Sequence, residues 1–138
     1  MVINETINLQ TEGHGATLEI TPQVANILTK SGLKNGIVTV FVTGSTAGVT
    51  TIEFEPNLVK DFKETWEEIA PEHEEYHHDK TWGDNNGYAH VRASLLGASL
   101  VVPVKDGELT LGTWQQIVLV DFDNRARDRI VVVQAMGE

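Results

Sequence analysis

The chain has 138 residues and no cysteine, so we expect one domain without disulfides, thiolate metal ligands or a cysteine nucleophile. Ten basic residues stand against twenty acidic ones, and the formal net charge of −10 disfavours a nucleic-acid partner, because a phosphate backbone is bound mainly through Lys and Arg. No apolar run approaches the length of a membrane span, and the first residues lack a basic region followed by an apolar one. A cytoplasmic protein with no membrane contact is therefore expected.

Strand and helix patterns alternate in the first half of the chain. Strands are predicted for residues 2–9, 16–20, 36–43 and 50–55. A first helix is predicted to begin at Thr21-Pro22, with Thr21 as its cap, and to end at Gly32 in the left-handed conformation. A second helix, with an apolar stripe along one side, is predicted between Pro56 and Pro71.

Residues 71–87 show no regular pattern, and a short helix is predicted for residues 91–97. Three strand-like runs follow, at residues 99–104, 116–122 and 129–136, with a hairpin signal at Asp106-Gly107. The order of elements predicts a single α+β domain over residues 1–138, with mostly antiparallel sheets and two to three helices.

The run EEYHHDKTWGDNNGYAH, residues 74–90, carries three of the five histidines in a long segment without predicted structure. Such segments are uncommon in compact domains and are often functional. If the loop folds back, His78 and His90 with Asp79 or Asp84 would suit a divalent ion such as Zn²⁺ or Mg²⁺. Alternatively, Asp79 would orient one imidazole for acid–base work, or the histidines are simply solvated.

The turn TGSTAGVTT, residues 43–51, offers backbone N–H groups and the hydroxyls of Ser45 and Thr46, which could cradle an anion. The alternative is a tight loop between strands. Glu53 and Glu55 are predicted to share one face of the following strand, either as site carboxylates or as solvent-facing acids.

Two further stretches carry binding chemistry. In Gly112-Thr113-Trp114-Gln115, the indole could stack on a ring and the amide could contact its edge, unless the Trp belongs to the core. Arg125, Arg127 and Arg129 form the densest basic cluster, which could hold phosphate or carboxylate, or pair with nearby aspartates.

Taken together, these motifs resemble the YjbQ family over essentially the whole chain. The resemblance is carried by Gly44-Ser45-Thr46-Ala47, Glu53, Tyr76-His77-His78-Asp79, Ala89-His90, the run LLGASLVVPVKDGELTLGTWQQI from residues 95 to 117, Arg127-x-Arg129 and Gly137-Glu138. One departure is Gly44, a position at which many relatives carry a histidine.

The resemblance implies an α+β domain assembled as a homotrimer, with secondary thiamine-phosphate synthase-like activity on phosphorylated small molecules. In that reaction an aminopyrimidine methyl diphosphate is joined to a thiazole phosphate and pyrophosphate is released. The implied catalytic residues are His78, His90, Glu53 and Asp79; the implied substrate contacts are Ser45, Thr46, Trp114, Gln115 and Arg129; and a divalent metal, Mg²⁺ or Zn²⁺, would be held by His78 and His90. The alternative function is a non-catalytic trimeric protein that binds a small anion or metabolite.

Overall fold

The computed structural model describes all 138 residues as one α+β domain built on two antiparallel sheets. The strands are β1 (Val2–Thr11), β2 (Ala16–Glu19), β3 (Gly36–Thr43), β4 (Ala47–Ile52), β5 (Ser99–Lys105), β6 (Glu108–Leu109), β7 (Gln116–Asp121) and β8 (Arg127–Gly137). One sheet has the order β1-β8-β3-β5-β6, and the other has the order β2-β7-β4. The predicted fold class and the mostly antiparallel pairing are therefore confirmed.

Strand β7 lies at the centre of the molecule and is buried on both faces. Its residues Ile117 and Leu119 join the main core between the two sheets, whereas Val118 and Val120 join a second core beneath the helices. A strand with both faces covered reads as a continuous apolar run rather than an alternating one, as QIVLVD does here. The layers are thus the five-stranded sheet, the three-stranded sheet and a helical layer.

Four helices are present: α1 (Thr21–Ser31), α2 (Pro56–Ile69), α3 (His77–Trp82) and α4 (Gly87–Leu96). The prediction of two to three helices missed the short α3, which lies in a segment predicted to be irregular. Gly32 ends α1 with φ of 73°, as predicted, but the cap is Ile20 and Thr21 is the first helical residue. The Thr21 hydroxyl instead accepts a hydrogen bond from the Ile117 N–H. None of the helices is long and apolar enough to cross a membrane.

The predicted hairpin at Asp106-Gly107 is present, and both residues have positive φ, of 52° and 82°, between β5 and β6. The predicted strand 50–55 was displaced, because β4 begins at Ala47, opposite Asp121, and ends at Ile52. Glu53 and Glu55 therefore lie beyond the strand, and Glu55 caps α2 by accepting the N–H groups of its first turn.

The outer face of the five-stranded sheet is not covered by any helix. Cross-strand neighbours on this face include the exposed residues Ile37 and Met136, and Phe41 lies opposite Val132. Val101 on β5 adds another exposed apolar side chain, with 55% of its surface accessible. This sheet face therefore combines regular pairing with apolar side chains in water.

Candidate functional site

The corner between α3 and α4 is fixed by Asp79. Its two carboxylate oxygens accept hydrogen bonds from the backbone N–H groups of Tyr76, 3.2 Å away, and Gly87, also 3.2 Å away. These bonds hold the start of α3 against the start of α4. A side chain at Gly87 would lie 2.6 Å from the Tyr76 Cβ, so the two helices approach this closely only because residue 87 is glycine.

The close approach of α3 and α4 brings His78 and His90 together. Their ring centroids are 4.4 Å apart and the ring planes make an angle of 43°. The Nδ1 atom of His78 is buried without a hydrogen-bond partner in the chain, and its distance to the nearest Asp79 oxygen, 4.0 Å, is too long for a hydrogen bond. Asp79 thus organises the helix corner, and no carboxylate within hydrogen-bond distance orients the imidazole.

Burial lowers the pKa of His90 below its ordinary value, and the neighbouring His78 lowers it further. The carboxylates of Asp123 and Asp84 act in the opposite direction but do not overcome these two effects. At neutral pH the His90 imidazole is therefore predominantly uncharged, with nitrogen lone-pair electrons available to accept a proton.

His90 also lines an open groove of about 320 Å³ between α4 and the turn that joins β3 to β4. The other lining residues are Gly44, Ser45, Ala47, Ala93, Ser94, Gly97 and Ala98. The walls are small and polar, because glycine, alanine and serine supply most of the surface. The predicted anion-binding turn, with the exposed Ser45, and His90 of the predicted histidine site therefore line the same groove, whereas His78 does not.

Beneath the turn, the buried Arg129 is held in two directions. Its Nε and Nη2 donate to the Oδ2 and Oδ1 atoms of the fully buried Asp121, at 2.7 and 2.8 Å. Nη2 also donates to the Thr46 hydroxyl at 2.6 Å, and the same hydroxyl donates to Asp123 at 3.1 Å. The Thr46 hydroxyl is therefore engaged inside the protein, and Thr46 does not line the groove.

Asp123 is the second fully buried carboxylate of this cluster. Burial opposes its ionisation, but the Asn124 N–H, the Asn86 amide and the Arg127 guanidinium all stabilise the carboxylate and hold its pKa below the usual range. Arg127 and Arg129 thus pair with Asp123 and Asp121, which is the pairing considered as an alternative in the sequence, whereas Arg125 lies outside the strand and is exposed.

Three predicted site residues lie elsewhere. Glu53 is exposed and forms no ion pair or hydrogen bond through its side chain, and Trp114 has 69% of its surface exposed. Gln115 lines a second groove, between β4 and β5, which contains neither histidine. Its Oε1 atom accepts the Gly112 N–H, so the amide stabilises its own turn.

The predicted metal site has two imidazoles as ligands within the chain. No group of three or more His, Asp or Glu side chains is arranged so that it could hold a metal ion. Catalytic zinc commonly takes three protein ligands, and Mg²⁺ prefers oxygen ligands supplied by carboxylates, phosphates and water. His78 and His90 would therefore need further ligands from a substrate, from water or from another copy of the chain.

Sequence reasoning gave no site role to Gly44, Ser94 or Asn86. Ser94 follows His90 by one helical turn, so helical spacing could have placed it on the same wall. No local signal indicates that Asn86 binds Asp123, since they are 37 residues apart.

The fold and groove define a class of protein: an α+β domain with a histidine pair over a buried Arg–Asp cluster. The sequence matches the family described as "UPF0047 protein YjbQ-like" over residues 5–138, and the chain belongs to this family. It is 37% identical to a UPF0047 protein of Methanothermobacter thermautotrophicus, over 99% of this chain and 94% of that protein. It is 33% identical to UPF0047 protein YugU of Bacillus subtilis, over 96% and 98% of the two chains.

Solved structures of similar proteins agree with this assignment. The chain superposes on a YbjQ-like protein from Sulfolobus solfataricus with a TM-score of 0.90 and 34% identity, covering all of both chains. A protein from Aeropyrum pernix gives a TM-score of 0.92 and 34% identity over 99% of each chain. The resemblance to the YjbQ family and the fold that it implied are both confirmed.

Proposed function

We propose that the groove between Gly44 and His90 binds a phosphorylated small molecule, and that the protein catalyses a thiamine-phosphate synthase-like transfer there. The observation that carries this proposal is that His90, which is paired with His78, lines one groove with Ser45 and Gly44, and that Gly44 lies against Nη1 of the buried Arg129. Tetrahedral oxyanions are bound by N–H and hydroxyl donors, and this groove offers them in a chain whose overall charge is strongly negative.

The reaction requires stabilisation of a leaving group. A C–N bond forms between the thiazole nitrogen and the methylene carbon of the pyrimidine, the C–O bond to the diphosphate breaks, and pyrophosphate leaves with the electron pair. Donors at Ser45 and Arg129 would stabilise the charge that develops on the leaving oxygen. An anion bound beside His90 would raise the pKa of the imidazole, which could then carry a proton for the departing pyrophosphate.

The test is pyrophosphate release from the two substrates by the chain with His78→Ala and His90→Ala combined. Loss of at least a hundredfold in turnover is expected, since general acid–base and charge stabilisation each contribute about that much. His77→Ala is the matched control, because His77 neighbours His78 in sequence but is exposed and is not part of the ring pair with His90. Undiminished turnover in the double variant would contradict the assignment.

A non-catalytic role in binding a small anion or metabolite is the second candidate. The lack of a carboxylate within hydrogen-bond distance of His78 favours it, because an acid–base imidazole is usually oriented by such a partner. Thermal shifts with phosphate, pyrophosphate and thiamine intermediates separate the two functions. Stabilisation by a ligand without product, with and without added Mg²⁺ or Zn²⁺, would favour simple binding.

The proposed divalent metal can be tested on the same protein. If His78 and His90 hold a metal, Zn²⁺ or Mg²⁺ added with phosphate will raise the melting temperature more than either component alone. The double histidine variant should lose the extra increment and keep any effect of phosphate alone. An increment that persists in the double variant would assign the metal to another site.

We also propose that the uncovered face of the five-stranded sheet joins three copies of the chain. A regular apolar sheet face in water is unusual for a monomer, and exposed Phe41 and Val101 are near its centre. Phe41→Asp should lower the solution mass measured by light scattering from trimer to monomer. Ile69→Asp on α2 removes an apolar residue that is even more exposed than Phe41, and it should leave the mass unchanged. A monomeric unaltered chain would refute the proposal.

A further inference from the structure

The guanidinium of Arg129 has one nitrogen with no partner in the chain. Nε and Nη2 are bound to Asp121 and Thr46, whereas Nη1 makes no hydrogen bond. Nη1 also keeps some contact with solvent, because the only fully buried side-chain nitrogen and oxygen atoms without a partner belong to Trp66, His78 and Asn86. Arg129 is 7% exposed, so the small accessible part of a deeply buried side chain includes unsatisfied N–H donors.

Gly44 lies directly against this nitrogen. A methyl group at position 44 would lie 2.7 Å from Nη1, closer than carbon and nitrogen can approach, while its next contact, with the guanidinium carbon, would be at 3.9 Å. Gly44 also has φ of 125°, a conformation that residues with side chains rarely adopt. Because Gly44 lines the groove and has no side chain, no side-chain atom at position 44 covers Nη1 on that side.

Arg129 cannot easily yield to a side chain at position 44. A long side chain on the surface could rotate away, but this guanidinium is held by two bonds to a fully buried carboxylate and one to a buried hydroxyl. Moving it would break those bonds and leave Asp121 without its counter-ion. A substituent at position 44 therefore blocks the open nitrogen or disrupts the cluster beneath it.

We propose that Gly44 is a specificity-determining residue: its missing side chain admits a phosphate oxygen to the open Nη1 of Arg129. This inference rests on the proposed function, and it narrows the ligand to one with a terminal phosphate or diphosphate at the Gly44–Ser45 end of the groove. Arg127 and Arg129 are paired with Asp123 and Asp121, so the cluster carries no net charge. Nη1 would therefore bind phosphate through a hydrogen bond of fixed direction rather than through a general positive field.

The test is calorimetric binding of inorganic phosphate and pyrophosphate, in a phosphate-free buffer, to the unaltered chain and to Gly44→Ala. A lost charge-assisted hydrogen bond corresponds to about a ten- to hundredfold weaker affinity. Gly32→Ala is the control: Gly32 also has positive φ, of 73°, but a methyl group there meets nothing within 4 Å. Gly32→Ala places alanine at a positive φ without creating a close contact, so it should bind phosphate and pyrophosphate with the affinity of the unaltered chain.

The outcomes separate the two proposals. If the unaltered chain binds neither anion, the proposed function fails and this inference fails with it. If the unaltered chain and Gly44→Ala bind equally well, the role of Gly44 is refuted and the proposed function stands.

A second measurement needs no variant, and so remains decisive if Gly44→Ala does not fold. In the unaltered chain labelled with ¹⁵N-arginine, the Nη signals of Arg129 should shift as phosphate is added. Those of the buried Arg92, which binds the Ala70 carbonyl and Glu67, should not move. Phosphate binding without any change at Arg129 would overturn the inference.

Discussion

The charge pair between Asp121 and Arg129 makes the sharpest prediction. The carboxylate is fully buried and accepts four hydrogen bonds: two from Arg129, one from the Thr11 hydroxyl at 2.5 Å and one from the Asp123 N–H at 3.1 Å. Each oxygen has two donors, so in Asp121→Asn the amide NH₂ faces donors whichever way it turns. The variant also removes the carboxylate bound directly to the guanidinium, and the nearest remaining one, Asp123, is 3.8 Å from Nη2.

Removal of one partner from a buried ion pair costs about 3–5 kcal/mol in the free energy of unfolding. For a domain of this size, the melting temperature should fall by roughly 10–20 °C. The assay is urea unfolding followed by far-UV circular dichroism and by the fluorescence of the buried Trp66. The variant should also bind phosphate more weakly, because a guanidinium released from Asp121 no longer holds Nη1 towards the groove.

Asp128→Asn is the matched control. Asp128 lies on β8 beside Arg129, but its side chain is exposed and makes no ion pair. It removes the same negative charge, so the general relief of charge repulsion cancels between the two variants. A free energy of unfolding for Asp121→Asn within about 1 kcal/mol of that for Asp128→Asn would refute this prediction.

Three further predictions follow from the site and its supports. Because the pKa of His90 is lowered in the folded chain, the folded chain binds fewer protons than the unfolded chain between that pKa and about 6.5. The free energy of unfolding should therefore decrease as the pH is lowered through this window, by at most about 1.4 kcal/mol per pH unit. In His90→Gln the free energy of unfolding, measured by urea unfolding at several pH values, should depend less on pH in this window. An unchanged slope would contradict the assignment to His90. Glu55→Ala should cost about 1 kcal/mol in urea unfolding, because Glu55 caps two N–H groups of α2, whereas Glu53→Ala should cost almost nothing. Asp79→Asn should lower both stability and pyrophosphate release, because Asp79 holds the corner between α3 and α4. The His78 and His90 rings should move apart, which nuclear magnetic resonance should detect as altered chemical shifts of His78. Unchanged stability and pyrophosphate release would argue against the role of Asp79 at the helix corner.

Much of the fold follows from local patterns. The β-branched run of β3, the Asp-Gly hairpin and the glycine at the end of α1 each determine their conformation within a few residues. The start of β4 could not be predicted in this way. Residues 44–48 are small and polar and resemble a turn, but Ala47 is drawn into the sheet by pairing with Asp121, which is distant in sequence.

Helix α3 was missed for a related reason. A six-residue helix has too few internal hydrogen bonds to form by propensity alone. It depends on Asp79, whose oxygens bind N–H groups at both ends of the segment, and on Gly87, which lets the next helix approach. His78 and His90 were singled out from the sequence, but their 4.4 Å ring separation is a consequence of this packing, which no residue spacing reveals.

The buried cluster would allow an acidic chain to hold the proposed anion. The net charge of −10 repels a phosphate at long range, but this repulsion is screened over about 8–10 Å at physiological salt. Within the groove, the interaction depends on donors at hydrogen-bond distance, which salt screens much less. Arg129, fixed by the buried Asp121, would supply such a donor, and the neighbouring Arg127–Asp123 pair adds no net positive field. Under this proposal, phosphate affinity would depend on the orientation of Nη1 of Arg129, and thus on the space that Gly44 leaves open, more than on the charge of the surface.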